Sequence, residues 1–90
     1  MPTISIFYGI VIRMFFFDVD KHKAPHIHAE YQGRIAVYSI PDGTLLAGRL
    51  PRKSHKRILA WMEIHREELM KNWDLAVKGK TPFRIKGLDQ

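Results

Sequence analysis

The sequence predicts an α+β fold, an antiparallel sheet of about four to five strands with one long C-terminal amphipathic helix packed on it. Three observations predict this fold. Residues 1–50 are rich in β-branched and aromatic residues, turn signals divide that half into short runs, and apolar residues recur every three to four positions after Pro51. The 90 residues suffice for a single domain, 1–90.

The strand-rich half divides at its glycines and prolines. Ile4 to Phe7 is a short β-prone run before a bend at Gly9, and Ile10 to Phe17 predicts a central strand because both of its faces are mostly apolar. A polar loop follows from Asp18 to Pro25. Further strands are predicted at 26–32, 35–40 and 44–50, joined by turns at Gly33-Arg34 and Pro41-Asp42-Gly43.

The change of period after Pro51 predicts a helix over about 52–78, which Gly79 ends. Its apolar stripe contains Ile58, Met62, His65, Leu69, Trp73 and Ala76. Trp73 is interpreted as core. Trp61 lies at the margin of the stripe and is interpreted either as core or as part of a partner surface. Residues 82–87 predict a short tail or a last strand.

The charge of the chain is concentrated in its second half. Lys and Arg number 15 against 9 Asp and Glu, a formal net charge of +6. Residues 1–45 are electrically balanced, so residues 46–90 carry the whole excess. An uneven basic field favours an anionic partner, and the alternative is a solvated, lysine-rich surface.

Several classes of protein are excluded. The absence of cysteine excludes a disulfide scaffold, a thiol nucleophile and a Cys-ligated zinc. The apolar run from Ile4 to Phe17 is interrupted by Arg13 and has neither a basic leader nor a small-residue cleavage site, so it does not predict a signal peptide. It is also shorter than the ~20 apolar residues that span a bilayer. A cytoplasmic protein without a membrane partner is therefore expected.

Two histidines and a glutamate follow the polar loop. Residues i, i+2 and i+4 of a strand share a face, so His26, His28 and Glu30 are predicted to project together, with Ile27 and Ala29 turned to the core. Two imidazoles and a carboxylate suit Zn²⁺, Fe²⁺ or Mn²⁺. Upstream residues that could complete the ligand set are Asp18, Asp20 and His22. The alternative is a polar strand face on which Glu30 pairs with a cross-strand arginine.

The same histidines would suit acid–base chemistry, since imidazole titrates near pH ~6.5. No orienting partner, Ser/His/Asp arrangement, Walker loop or glycine-rich fingerprint accompanies them. The sequence therefore favours a non-enzymatic protein without a cofactor. A protein that binds zinc or another divalent transition metal is the alternative.

The start of the predicted helix is strongly basic. Its five cations, here called the basic cluster, are Arg49, Arg52, Lys53, Lys56 and Arg57. Cations at a helix N-terminus oppose the helix dipole by about 0.3–1 kcal/mol each, and a helix tuned only for folding would place Asp or Glu there. Free N–H groups and cations together suit phosphate. The basic cluster is therefore the predicted nucleic-acid or anion-binding site, and the alternative is a solvated helix end.

The aromatic residues of the first half allow two interpretations. They either fill the core or present a base-stacking platform on an open sheet, and the one-helix architecture favours the core. These residues are Phe7, Tyr8, Phe15, Phe16, Phe17, Tyr31 and Tyr38.

Several segments together resemble a known family. They are Pro2-Thr3-Ile4, Phe7 to Ile12, Met14-Phe15-Phe16, Pro25 to Tyr31, Gly48 to Pro51, Trp61, Glu68-Leu69 and Asn72-Trp73. To about residue 77 the chain is similar to the small bacterial proteins catalogued as domain of unknown function 4160. The resemblance implies no established reaction. It implies pairing with a small protein from an adjacent gene, as in toxin–antitoxin systems. Many members have a compact Asp-His-Asn-Pro-Pro loop, and the loop from Asp18 to Pro25 is longer and more basic.

Two hypotheses of function follow. The first is a non-enzymatic binding module that contacts nucleic acid or a small partner protein through the basic cluster. The second is a metal-binding protein, or a metal-dependent hydrolase or nuclease, that uses His26, His28 and Glu30. The apolar first half could also present a strand edge for homodimerisation.

Overall fold

The computed structural model describes residues 2–15 and 24–90. Within these ranges the chain forms five strands followed by two helices. They are β1 (Thr3–Phe7), β2 (Ile10–Arg13), β3 (His26–Tyr31), β4 (Arg34–Ser39), β5 (Leu45–Gly48), α1 (Arg52–Ile64) and α2 (Arg66–Val77). The strands pair antiparallel in the order β1-β2-β3-β4-β5. The predicted α+β class and the antiparallel sheet are confirmed.

Two of the hairpins turn on pairs of residues with positive φ. The pairs are Tyr8-Gly9, at 50° and 76°, and Gln32-Gly33, at 48° and 78°. Two-residue loops of this kind twist in the sense that the flanking strands require. The second turn lies one residue earlier than the sequence predicts. Of the predicted loop from Asp18 to Pro25, only Ala24 and Pro25 belong to the described residues.

One face of the sheet and the two helices enclose the core. The register places Ile12 opposite Ala29, and Ala29 opposite Ala36, so that three buried side chains form one row across the central strands. Trp61 and Trp73 close the core from the helices, with exposed fractions of 0% and 9%. Both tryptophans are therefore core, and the interpretation of Trp61 as part of a partner surface is wrong.

The expectation of one long helix is only partly correct, because the helix breaks at His65. This residue has φ −109° and ψ 21°, outside the α-helical region, and separates α1 from α2. The hydrogen bonds continue across the break, from His65 N–H to Trp61 O and from Leu69 N–H to His65 O. His65 also donates from Nδ1 to Glu68 Oε1 at 2.6 Å. It thereby leaves the helical conformation and supports the first turn of α2.

The residues after α2 form an extended tail along β1. Gly79, with φ 76°, ends the helical region, and Ile85 N–H donates to Ile4 O at 2.8 Å. The Asn72 side chain bonds both the N–H and the C=O of Phe83, each at 2.9 Å.

The tail is also held by Trp61, whose Nε1–H donates to Lys86 O at 2.8 Å. The tail therefore covers the β1 edge of the sheet. In the two described ranges, neither α1 nor α2 is long and apolar enough to cross a membrane.

Candidate binding site at the start of the first helix

The first turn of α1 offers its backbone N–H groups without a side-chain cap. Pro51 precedes the helix in an extended conformation, with φ −53° and ψ 147°, and no side chain caps the helix. The first turn holds no acidic residue, whereas the first turn of α2 holds Glu67 and Glu68. The positive end of the helix dipole at α1 is therefore reinforced by cations, the reverse of what stabilises a helix.

The helix distributes the basic cluster over two flanks. At about 3.6 residues per turn, Arg52 lies on the flank of His55, and Lys53 lies on the flank of Arg57, with Lys56 between them. Ser54 and Ile58, which are buried, mark the opposite side of the helix. The cluster is therefore not one compact patch but a band around the exposed surface of the first two turns.

On the first flank, Arg49 and Arg52 border a cleft beside the sheet. The cleft has a volume of about 310 Å³, and its other lining residues are Leu45, Leu50 and His55. Leu45 is the first residue of β5, and Leu50 is buried where β5 leads into the helix. The cleft therefore has an apolar floor and a cationic rim.

Tyr38 holds the imidazole of this cleft in position. Its hydroxyl lies 2.8 Å from His55 Nδ1, and the two rings are stacked with centroids 5.6 Å apart. Burial raises the pKa of Tyr38 to about 12, so the phenol stays protonated near neutral pH. When its O–H donates to Nδ1, the ring proton of His55 lies on Nε2. The sequence offered no signal for this pair beyond the position of His55 among cations.

On the second flank, Arg57 lies over the turn between β1 and β2. Its guanidinium carbon is 4.0 Å from the centre of the Tyr8 ring, a cation–π contact. Tyr8 is 46% exposed and has the positive φ described above, which is uncommon for an aromatic residue. Arg57 therefore braces a strained turn in addition to contributing charge.

The cations of the basic cluster carry no carboxylate partner in the described parts of the chain. The ion pairs there join Arg13 to Glu30, His65 to Glu68, and Lys78 to Asp74. Arg49, Arg52, Lys53 and Lys56 are exposed, and Arg57 is half-buried against Tyr8. Their charges are therefore available to an external anion.

The predicted metal ligands on β3 have different surroundings. His26 is buried; its Nδ1–H donates to Ala24 O at 2.8 Å, and its ring lies 5.0 Å from that of Trp73. Glu30 accepts a hydrogen bond from Arg13 at 2.7 Å, which is the cross-strand pairing of the alternative interpretation. Ile27 and Ala29 are buried in the core as predicted.

His28 is half-buried and lies on the face of the sheet away from the helices. It shares a hollow of about 300 Å³ with Arg13, Phe15, Glu30 and Ile35. Across residues 2–15 and 24–90, no three His, Cys, Asp or Glu residues are grouped as a metal ion would require. Asp18, Asp20 and His22 lie outside the described residues, so a metal site that includes them stays a prediction.

A five-stranded antiparallel sheet, two helices joined at one residue and a basic cleft define a small, basic α+β protein. The chain belongs to the family described as Domain of unknown function (DUF4160), whose model matches residues 9–74. The match confirms the resemblance seen in the sequence. No curated protein and no solved structure matches the chain.

Proposed function

We propose that the protein is a non-enzymatic binding module that holds the phosphate backbone of a nucleic acid at the start of α1. The phosphate contacts are made by Arg49, Arg52, Lys53, Lys56 and Arg57. Backbone contacts of this kind position a nucleic acid without reading its sequence. The toxin–antitoxin-like pairing implied by the family stays a prediction, and nucleic-acid binding is compatible with either member of such a pair.

The observation that carries the proposal is the set of five cations around an uncapped helix start, with no carboxylate partner in the described ranges. The two cations of the first turn, Arg52 and Lys53, each destabilise the helix by a few tenths of a kcal/mol or more, so folding alone does not account for them. An anion at the site removes this penalty, because it is attracted to the cations and to the free N–H groups together.

The dimensions of the band suit a phosphate chain. The helix rises about 1.5 Å per residue, so Arg52 and Arg57 are separated by roughly 7.5 Å along its axis. A DNA strand carries one phosphate per ~3.4 Å of helix axis. Side chains separated by this distance can therefore contact phosphates about two steps apart on one strand. The exposed Tyr8 ring beside Arg57 lies where a base could stack.

The test is a titration of the untagged protein with labelled RNA and labelled duplex DNA at two salt concentrations. With about five phosphate contacts, affinity for the duplex should fall roughly 500-fold between about 50 and 200 mM salt. The variant carrying R52A, K53A, K56A and R57A keeps one contact. Its affinity should fall only about fourfold over the same range, from a much weaker starting value.

A charge-matched control separates a local site from general attraction. Four other exposed cations lie outside α1, in or after α2: Lys71, Lys78, Lys80 and Arg84. Changing these four to Ala removes the same charge and should leave most of the affinity. Equal losses in the two variants, or no binding at about 50 mM salt, would refute the proposal.

A further inference from the structure

We propose that the β5 edge of the sheet binds an extended, acidic segment of a partner protein, which adds to the sheet as a further strand beside β5. This surface serves a function beyond nucleic-acid binding. It uses the backbone and the leucines of β5, and it shares Arg49 and Arg52 with the nucleic-acid site. Strand addition of this kind takes its affinity from main-chain hydrogen bonds and its specificity from pockets for alternate side chains.

The two edges of the sheet differ in their cover. The tail lies along β1, where Ile85 bonds Ile4 and Gly87 packs so closely that a Cβ would lie 2.8 Å from Ile6 O. Along β5, residues 45–48 make no backbone hydrogen bond outside the β4 ladder within the described chain. The outward backbone groups of β5 are therefore available to a partner.

The sequence of β5 lacks the usual protection of an exposed edge. Edge strands are commonly guarded by lysine, proline or an inward-pointing charge, yet Leu45–Gly48 reads Leu-Leu-Ala-Gly. Leu45 and Leu46 are 39% and 38% exposed. The protection of β5 comes from its length of only four residues and from a bulge opposite Val37 and Tyr38, and both limit the added strand to a short segment. The bound segment is therefore expected to be short, and its affinity modest.

The cleft beside β5 specifies the chemistry of the segment. Leu45 and Leu50 form an apolar floor that accepts an aliphatic side chain, and Arg49 and Arg52 form a rim that pairs with carboxylates. No acidic residue lines the cleft in the described ranges. An extended segment that presents aliphatic and acidic side chains on the same face is complementary to both features, and residues two apart on a strand share a face. A net charge of +6 steers such a segment to the site.

The test uses a synthetic peptide of about ten residues that repeats Val-Val-Glu-Glu, with both ends blocked, so that each face of the added strand carries both residue types. Amide resonances of the protein are followed by two-dimensional NMR during titration. The shifts should be largest at residues 45–48 and around the cleft. The same peptide with alternate backbone nitrogens methylated loses its strand-pairing donors and should bind about tenfold more weakly or worse.

Protein variants separate this surface from the nucleic-acid site. L45S with L46S removes the apolar contact without changing charge, and I64S is the matched control because Ile64 is 66% exposed at the far end of α1. The double variant should lose peptide binding and keep nucleic-acid binding, and I64S should keep both. Absence of shifts at β5, or equal binding of the methylated peptide, would overturn the proposal while leaving the nucleic-acid result intact.

Discussion

Replacement of Gly48 by alanine should destabilise the fold strongly, because the residue has no space for a side chain. Gly48 ends β5 with φ +72°, in the left-handed region. A Cβ built there overlaps the carbonyl oxygen of Ile35 and lies 3.0 Å from Ala36 Cα. Both contacts are with the backbone of β4, which cannot rotate away as a side chain can. The substitution must therefore displace β5 from β4 or move the chain leading to α1.

The loss of folding free energy expected for Gly48→Ala has two contributions. The left-handed conformation costs an L-residue about 1–2 kcal/mol, and overpacking in an ordered region costs about 1–3 kcal/mol. Alanine also restricts the unfolded chain, which offsets about 0.4–1 kcal/mol of this loss, so the substitution remains destabilising. A net loss of about 2–4 kcal/mol is a large part of the 5–15 kcal/mol available to a small domain. It corresponds to a decrease of roughly 10–25 °C in Tm.

The assay is urea and thermal unfolding followed by circular dichroism, with Gly33→Ala as the matched control. Gly33 has φ +78° and no atom within 4 Å of a built Cβ, so its replacement incurs the backbone term alone. The free energy of unfolding of Gly48→Ala should lie about 1–3 kcal/mol below that of Gly33→Ala. Equal stabilities of the two variants would refute the close approach of β5 to β4.

Three further outcomes are expected. Asn72→Ala should lower the free energy of unfolding by about 2–4 kcal/mol in urea titrations, because it leaves the N–H and C=O of Phe83 without their partners. An unchanged free energy of unfolding would contradict the docking of the tail. The raised pKa of Tyr38 means that the folded state favours the protonated phenol, so its stabilising effect is complete below about pH 10 and disappears between pH 10 and about 12. Wild type should therefore lose more stability than Tyr38→Phe over that interval, and parallel curves would show that the phenol is not shielded. Elemental analysis of untagged protein should find less than about 0.1 divalent metal ion per chain, whereas stoichiometric metal would favour the His26, His28 and Glu30 hypothesis.

Much of the fold could be predicted because it depends on local patterns. The β-branched runs and turn residues predicted the strands, and the apolar stripe placed Leu69 and Trp73 in the core. The break at His65 could not be predicted in the same way. No proline or glycine marks it. The His65–Glu68 bond and the contact of His65 with Trp61 join residues three and four apart, a spacing that an unbroken helix also brings together.

The candidate site was predicted in composition but not in arrangement. The sequence identified the five cations of the basic cluster, because an excess of cations at a helix start is visible without a structure. It did not reveal that Arg57 stacks on Tyr8, nor that His55 bonds Tyr38 across 17 residues of sequence. It predicted a common strand face for His26, His28 and Glu30, and the rings of the two histidines lie 5.5 Å apart. It did not reveal that His26 is buried or that Glu30 pairs with Arg13.

The sequence by itself determined the α+β class, the antiparallel hairpins, the family and the location of the excess positive charge. The class and the hairpins depend on the preferences of neighbouring residues for a backbone conformation or for water. The family follows from motifs and the charge from composition, and all of these are present in the chain before it folds. Only the tertiary structure decided which sheet edge is covered and which cations border the apolar cleft. Those features arise from contacts between segments distant in sequence, where steric fit and shared hydrogen bonds determine the outcome.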